Sequence, residues 1–120
     1  TMINVKEMSR DFNKLELYLM TISPSITSVK DLPDGTKITV AGTLKFEDVK
    51  EDTGEVVNVL SIITPENKVY SCQSATFKRS ISDIAGIMDG AVFTVIKTSG
   101  KTRAGRDFVN CVLDTESVNI

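Results

Sequence analysis

Apolar and polar residues alternate along several short stretches of the chain, with the period of two that is typical of β-strands. The longest stretch covers residues 36–49, and one of its sides is apolar, formed by Ile38, Val40, Leu44 and Phe46. Gly42 interrupts this stretch, and a glycine inside a strand often marks a bend or a bulge. The pattern therefore predicts one long strand that bends near its centre.

Four more stretches of this kind follow along the chain. Residues 56–64, rich in β-branched side chains, and residues 68–72 predict the second and third strands. The turn sequences KEDTGE and PENK precede them. Residues 91–98 and 107–114 predict the last two strands, which flank a turn rich in glycine and basic residues.

Between the third and fourth strands the apolar period changes to that of a helix. One helix face is apolar, because its residues recur at i, i+4, i+7, i+8 and i+11 as Phe77, Ile81, Ile84, Ala85 and Met88. Ser74 is placed to cap the start of this helix, and Gly90 fits its C-terminal end. The sequence predicts one helix between these two residues.

Residues 1–28 are less regular, and we interpret them as an N-terminal extension that is partly helical or strand. Met8, Phe12, Leu15 and Leu19 have helical spacing, whereas Leu15, Leu17 and Leu19 also alternate. Residues 29–120 give the order β-β-β-α-β-β. This order suits an all-β fold with one helix, a five-stranded OB-fold barrel in which the bent first strand pairs at both ends. A plain antiparallel sheet with one helix is the alternative.

Composition narrows the class of protein. A chain of 120 residues fits one domain, and a hydrophobic content of 41% excludes a disordered chain. No apolar run approaches the roughly 20 residues of a membrane span, and the first residues show no signal-peptide pattern. We therefore expect a cytoplasmic protein with no membrane partner.

The sequence offers little catalytic or metal chemistry. It has no histidine, and its two cysteines, Cys72 and Cys111, lie inside predicted strands, where we expect buried free thiols. We predict no metal site, no cofactor and no enzymatic activity. The tripeptide GKT at 100–102 resembles the end of a P-loop, but Val95 stands where the first glycine of that motif is required.

The charges of the chain are sorted along the sequence. Lys and Arg total 14 against 16 Asp and Glu, so the net charge of −2 argues against nucleic-acid binding through bulk charge. Residues 97–106, however, carry four basic residues and no acid, whereas the turn at 50–55 and its flanks are acidic. A local basic groove is compatible with this distribution.

OB-fold proteins that hold single strands combine cations along the phosphates with aromatic faces on which bases stack. The candidate phosphate contacts in the last hairpin are Lys97, Lys101, Arg103 and Arg106, and Lys45, Lys78 and Arg79 extend the path. Phe46 and Tyr70 are the candidate stacking residues. Each candidate has an alternative: Phe46 could be a core residue, Tyr70 could form a hydrogen bond at the barrel rim, and the hairpin could be a solvated turn. We interpret the other three phenylalanines of these elements as core residues: Phe77, Phe93 and Phe108.

The run VKDLPDGTKITVAGTLKFEDV, then VYSCQSATFKRSISDIAGIM, then FTVIKTSGKTRAGRDFVNCVL resembles the small single-stranded DNA-binding proteins of phages of the phi-29 type. The similarity covers most of residues 29–113, and residues 1–28 match poorly. Its most specific pieces are LPDGT, the VYS before the helix and the Gly-basic-Gly hairpin. Two tyrosine positions of that family fall on Phe46 and Tyr70, and a third falls in KEDTGE, which has no aromatic residue.

This resemblance implies an OB-fold protein that coats displaced single strands during phage DNA replication and protects them from nucleases. We expect sequence-independent binding of single-stranded DNA in the host cytoplasm, with phage replication proteins as further partners. Two alternatives stay open: an OB-fold module that docks a protein through its acidic hairpin, and single-stranded RNA binding. The sequence does not determine the oligomeric state, and an oligomer is one of the possibilities.

Overall fold

The computed structural model describes residues 2–117 and is built mostly of β-strands. The elements in chain order are β1 (Met2–Met8), α1 (Lys14–Thr21), β2 (Thr27–Ser28), a 3-10 helix (Val29–Asp31), β3 (Lys37–Val40), β4 (Gly42–Val49), β5 (Val56–Ile63), β6 (Val69–Cys72), α2 (Ala75–Met88), β7 (Phe93–Lys101) and β8 (Asp107–Leu113). The prediction of a β-rich domain is confirmed. The one helix predicted for the β-β-β-α-β-β order is present as α2, and α1 is a second helix in the N-terminal segment, which was predicted to be partly helical or strand.

The strands form two sheets that share one bent segment of the chain. The five-stranded sheet has the order β1-β4-β5-β6-β2, and the three-stranded sheet has the order β3-β7-β8. The predicted long strand occurs as β3 and β4, which are separated at Ala41, so the predicted bend beside Gly42 is confirmed. Because β3 pairs with β7 while β4 pairs with β1 and β5, this segment joins the two sheets.

Neither sheet closes into a barrel. A five-stranded barrel would need β6 to pair with β8, and among residues 2–117 no such pairing is formed. The free edge of β6 is instead partly covered by β2, which pairs in parallel through Thr27–Tyr70 and Ser28–Ser71. One side-chain hydrogen bond crosses between the two strand ends, from the Ser74 hydroxyl to the Val109 carbonyl at 3.1 Å. A closed OB-fold barrel is therefore not confirmed.

The larger core cluster lies between the two sheets and is covered by α2. Phe77 and Ile81 of the predicted helix face are almost fully buried there, and Ser74 caps the helix by accepting from the Phe77 amide. Asp89 has a left-handed backbone (φ 48°) and ends the helix, and Gly90 follows with φ 89°. The predicted helix is confirmed: it starts and ends where its capping signals indicate, and residues of its apolar face are buried.

Both cysteines belong to this larger cluster. Cys72 and Cys111 are buried and free, as the sequence predicts. Burial raises the pKa of both thiols, that of Cys111 to about 12, so these thiols stay protonated and unreactive near neutral pH.

The smaller core cluster covers the opposite face of the five-stranded sheet. Met20 of α1 packs there with Leu44, Phe46, Ile63 and Val69. The helix α1 begins with a capping box in which Asn13 and Glu16 satisfy each other's backbone amides. The predicted helical face of residues 8–19 does not form, because Met8 lies in β1 and Leu15 is 61% exposed. The N-terminal segment thus packs on the sheet, and its division from the rest at residue 28 stays a prediction.

Gly42 permits the N-terminal segment to cross the bend closely. A Cβ atom at Gly42 would lie 2.8 Å from Cε1 of Phe12, a distance that real Cβ contacts do not reach. The Arg10 guanidinium lies 4.4 Å from the centre of the Phe12 ring, which is typical of a cation–π contact. The bend is therefore packed around the missing side chain.

We predict that Gly42→Ala lowers the free energy of unfolding by about 1–3 kcal/mol, since the Phe12 ring must shift to admit the methyl group. The control is Gly86→Ala in α2, where an added Cβ meets nothing within 4 Å and the gain of helix propensity should stabilise by about 0.5–1 kcal/mol. Urea denaturation of the two variants measures both effects. Equal stability of Gly42→Ala and the unmodified protein would contradict the packing account.

Candidate nucleic-acid interface

The β7–β8 hairpin extends to a tight turn at residues 102–106. The two strands pair from Val95–Leu113 to Lys101–Asp107. In the turn, the Thr102 amide donates to the Arg106 carbonyl at 2.9 Å and the Gly105 amide donates to the Thr102 carbonyl at 2.9 Å. Gly105 has φ 82°, which glycine adopts without strain. This turn fixes the backbone of two exposed arginines, Arg103 and Arg106.

The cations at this tip are available to an anion. The side chains of Arg103 and Arg106 form no hydrogen bond or ion pair with other residues in the 2–117 range. Lys101 pairs with Asp107 at 2.8 Å, but both side chains are largely exposed, so water screens the pair and it breaks at little cost. Because a guanidinium can donate two parallel hydrogen bonds to a phosphate, the tip suits phosphate contacts.

Lys97 is placed differently from the other cations of the hairpin. It is 5% exposed, and its ammonium donates to the Leu32 carbonyl at 2.8 Å and to Asp34 Oδ1 at 2.9 Å. The Ser99 hydroxyl donates to the other oxygen of Asp34 at 2.6 Å. These bonds attach the loop before β3 to β7. A phosphate contact by Lys97 would require this arrangement to open.

The other predicted cations lie on other elements, Lys45 on β4 and Lys78 and Arg79 on α2. Lys45 lines a separate groove of about 390 Å³ beside α2 and pairs with Glu7 at 3.5 Å. Lys78 donates to the Asn58 carbonyl at 3.3 Å, and Arg79 is exposed on α2. Lys45 thus lines a groove whose lining includes neither Arg103 nor Arg106.

The two predicted stacking residues lie on opposite faces of the five-stranded sheet. Phe46 pairs with Val59 and Tyr70 pairs with Ile62. Val59 and Ile62 are three residues apart on β5, and side chains at odd spacing on a strand point to opposite faces. Phe46 is 4% exposed in the smaller cluster, and Tyr70 is 7% exposed in the larger one. The structure does not bring these rings together, and each would have to be uncovered before a base could stack on it.

A groove of about 640 Å³ opens where β6 and β8 fail to pair, and we call it the seam groove. Most of the residues that line it are of polar types, and its lining includes Lys30, Ser71, Gln73, Lys97, Ser99 and Phe108. Phe108 was expected in the core, yet it is only partly buried and lines this groove beside the basic turn.

Gly100 explains how the Phe108 ring fits at this position. The two residues are directly opposite each other on β7 and β8. A Cβ atom at Gly100 would lie 2.7 Å from Cζ of Phe108, so the ring occupies the space that any side chain would fill. The glycine of the GKT tripeptide therefore admits a ring and does not cradle a phosphate. The only sequence signal for this arrangement is a glycine opposite an aromatic residue, which becomes visible once the register is known.

The described part of the chain holds no group of three or more residues that could ligate a metal ion. None of its helices has the length and apolar character needed to cross a bilayer.

The comparison with protein families decides the class of the protein. Residues 13–114 match the family model of the phage single-stranded DNA-binding protein of the phi-29 type. The chain belongs to this family. The match confirms the resemblance seen in the sequence, and membership of this single-stranded DNA-binding family suggests that the protein binds single-stranded DNA. No curated protein and no solved structure matched the chain.

The family match also bears on the N-terminal segment. It begins at Asn13, the cap of α1, and ends at Asp114, just after β8. The helix α1 and the basic hairpin both lie within the matched residues, whereas β1 lies before them.

Asp34 provides a test of the arrangement around Lys97. The Ser99 hydroxyl and the Lys97 ammonium hold the pKa of Asp34 below its ordinary value. Because the pKa is lowered in the folded state, the contribution of Asp34 to stability is present above its unfolded pKa and is lost as pH falls through the folded pKa. We predict that Lys97→Met raises the pKa of Asp34, measured by NMR titration of the side-chain carboxyl.

The matched control for this titration is Lys37→Met. The pKa of Asp114 is lowered by the Ser117 hydroxyl and by Lys37, so this variant should raise the pKa of Asp114 and leave that of Asp34 unchanged. An unchanged pKa of Asp34 in Lys97→Met would show that the buried lysine is not its partner in solution.

Proposed function

We propose that this protein binds single-stranded DNA without regard to sequence, coats displaced strands during phage DNA replication and protects them from nucleases. The family match supports the class of ligand. The single observation that carries the proposal is the exposed pair of arginines on a hairpin that borders a polar groove.

We propose further that residues from β3 to β8 form an OB-type fold that is open along one seam. The pairings β4–β5, β5–β6, β3–β7 and β7–β8 are those of a five-stranded OB barrel with a bent first strand. The pairing of β6 with β8 is the one that is missing. In OB folds the last hairpin flanks the cleft that receives an oligonucleotide, which agrees with a binding role for the β7–β8 hairpin.

The phosphate contacts are assigned first to Arg103 and Arg106, which are exposed and unpaired within residues 2–117, and next to Lys101. Lys78 and Arg79 extend the path over α2. Contacts by Lys45 and Lys97 belong to the same prediction, but each requires an ion pair, with Glu7 or Asp34, to open. The net charge of −2 does not oppose this proposal, because a local cluster of cations can attract a strand despite the total.

Stacking by Phe46 and Tyr70 stays a prediction, and the structure sets its conditions. The Phe46 ring is buried in the apolar cluster around Met20 of α1. A base could therefore reach this ring only if α1 moved off the sheet. Amide hydrogen exchange tests this condition directly. If Phe46 stacks, α1 loses protection when an oligonucleotide binds; unchanged protection would end the stacking role.

We predict that the double change Arg103→Ala, Arg106→Ala weakens binding of oligo(dT) and flattens its salt dependence. Each phosphate contact to a single strand contributes roughly 0.7 to the slope of log K against log salt concentration, so the slope should decrease in magnitude by about 1.4. Fluorescence polarisation of a labelled oligonucleotide at several salt concentrations measures the slope.

The charge-matched control for the hairpin variant is Lys6→Ala, Lys14→Ala, which removes two cations from β1 and α1. This control should leave the slope unchanged. An unaltered slope in the arginine variant would show that the hairpin does not hold the phosphates.

Two further titrations test which class of ligand the protein binds. No binding of oligo(dT) at low salt would favour the protein-interaction alternative. Competition with oligo(U) decides between DNA and RNA, because tighter binding of the RNA would overturn the assignment to DNA.

A further inference from the structure

The seam groove lies between two strand edges that the fold leaves apart. Its floor and walls come from the ends of β6 and β8, from β7 and from the 3-10 helix, which supplies Lys30. With a volume of about 640 Å³, it is the larger of the two grooves described above. A ligand in this groove would contact both sheets at once.

The walls of the groove carry groups that can both donate and accept hydrogen bonds. Ser28 and Ser71 contribute hydroxyls, and Gln73 contributes an amide. The one carboxylate at its rim, Asp107, is paired with Lys101. Such a lining can meet the polar edge of any base, because hydroxyl and amide groups adapt to either a donor or an acceptor. It also places no unpaired negative charge in the path of a phosphate.

Phe108 supplies the aromatic surface that the two predicted rings do not offer here. Its ring is held over Gly100 and is only partly buried, and Phe108 is one of the residues that line the groove. Because the Gly100–Phe108 pair follows the Ser99–Val109 pair, the ring lies on the face of the hairpin opposite to the Ser99 side chain, at the outer rim of the groove. Arg106 stands two residues before it, so their Cα atoms are at most about 7 Å apart. A base on the ring would therefore have its own phosphate within reach of that guanidinium.

We infer that the rim of the seam groove at Phe108 is a nucleotide subsite, where a base of the bound strand stacks on the exposed side of the Phe108 ring with its polar edge toward the groove, while its phosphate contacts the Arg103–Arg106 turn. The inference rests on the proposed function, since it names the place on the protein where single-stranded DNA binds. The open edge of β8, with the part of the β6 edge that β2 leaves uncovered, could also accept an extended peptide. The polar lining, the neighbouring unpaired arginines and the family match favour the nucleotide.

The absence of tryptophan from the sequence permits a direct optical test. In a Phe108→Trp variant, titration with oligo(dT) should quench the single tryptophan, because a base stacks on the indole. The control is Tyr18→Trp, which replaces an exposed ring on α1, a helix that contributes no residue to the lining of the groove. Its fluorescence should change little at saturation.

Affinity gives a second, independent measurement. Replacing Phe108 by Ala should weaken oligo(dT) binding by about 5- to 150-fold, the loss expected for one stacked base, with the salt slope unchanged. Gly100→Ala should also weaken binding, since the added Cβ displaces the ring without removing it. Val112→Ala, which shortens an exposed side chain on the same strand, is the matched control and should bind normally. Thermal melting identifies any variant that has unfolded.

The outcomes separate this inference from the function on which it rests. If the unmodified protein fails to bind oligo(dT), the proposed function falls. If it binds with a slope that depends on the hairpin, but Phe108→Ala binds equally well and Phe108→Trp shows no quenching, the function stands. The nucleotide subsite is then overturned, and the groove is left to another occupant such as an extended peptide.

Discussion

The bent segment between Lys37 and Val49 is the constraint on which the rest of the structure depends. Its first half pairs with β7 and its second half with β5, so one stretch of chain fixes the position of both sheets. Gly42 leaves room for the Phe12 ring, so the N-terminal segment packs directly on the bend. Since β6 follows β5 and β8 follows β7, the bend also places the edges of β6 and β8 on either side of the seam groove.

The arrangement of charge agrees with the proposal that this acidic protein binds a polyanion. Asp34 engages Lys97 and Asp107 engages Lys101, so two lysines of the hairpin are already paired with carboxylates. What remains unpaired at the turn, among residues 2–117, is the two arginines. Net charge describes the whole molecule, whereas a strand of DNA responds to the local electrostatic field at this tip. Salt screens that field at distances beyond about one Debye length.

Local sequence patterns predicted the elements well, because strand alternation, the helical period and the Ser74 cap are properties of neighbouring residues. The faces of the strands and the partners of the charges were not predictable in this way. Phe46 has the same parity as Ile38, yet the break at Ala41 places the two in different core clusters. Lys97 binds Asp34, which is 63 residues away, and this contact depends on the register between β3 and β7.

Amide chemical-shift mapping tests the central claim, that the strand of DNA lies along the β7–β8 turn and the seam groove, most directly. Titration of the ¹⁵N-labelled protein with oligo(dT) should shift the amides of residues 102–106 most strongly, together with those of residues 71–74 and of Phe108. Shifts confined to the acidic turn at residues 50–55 or to the exposed face of α1, with the hairpin and the groove unaffected, would contradict the account.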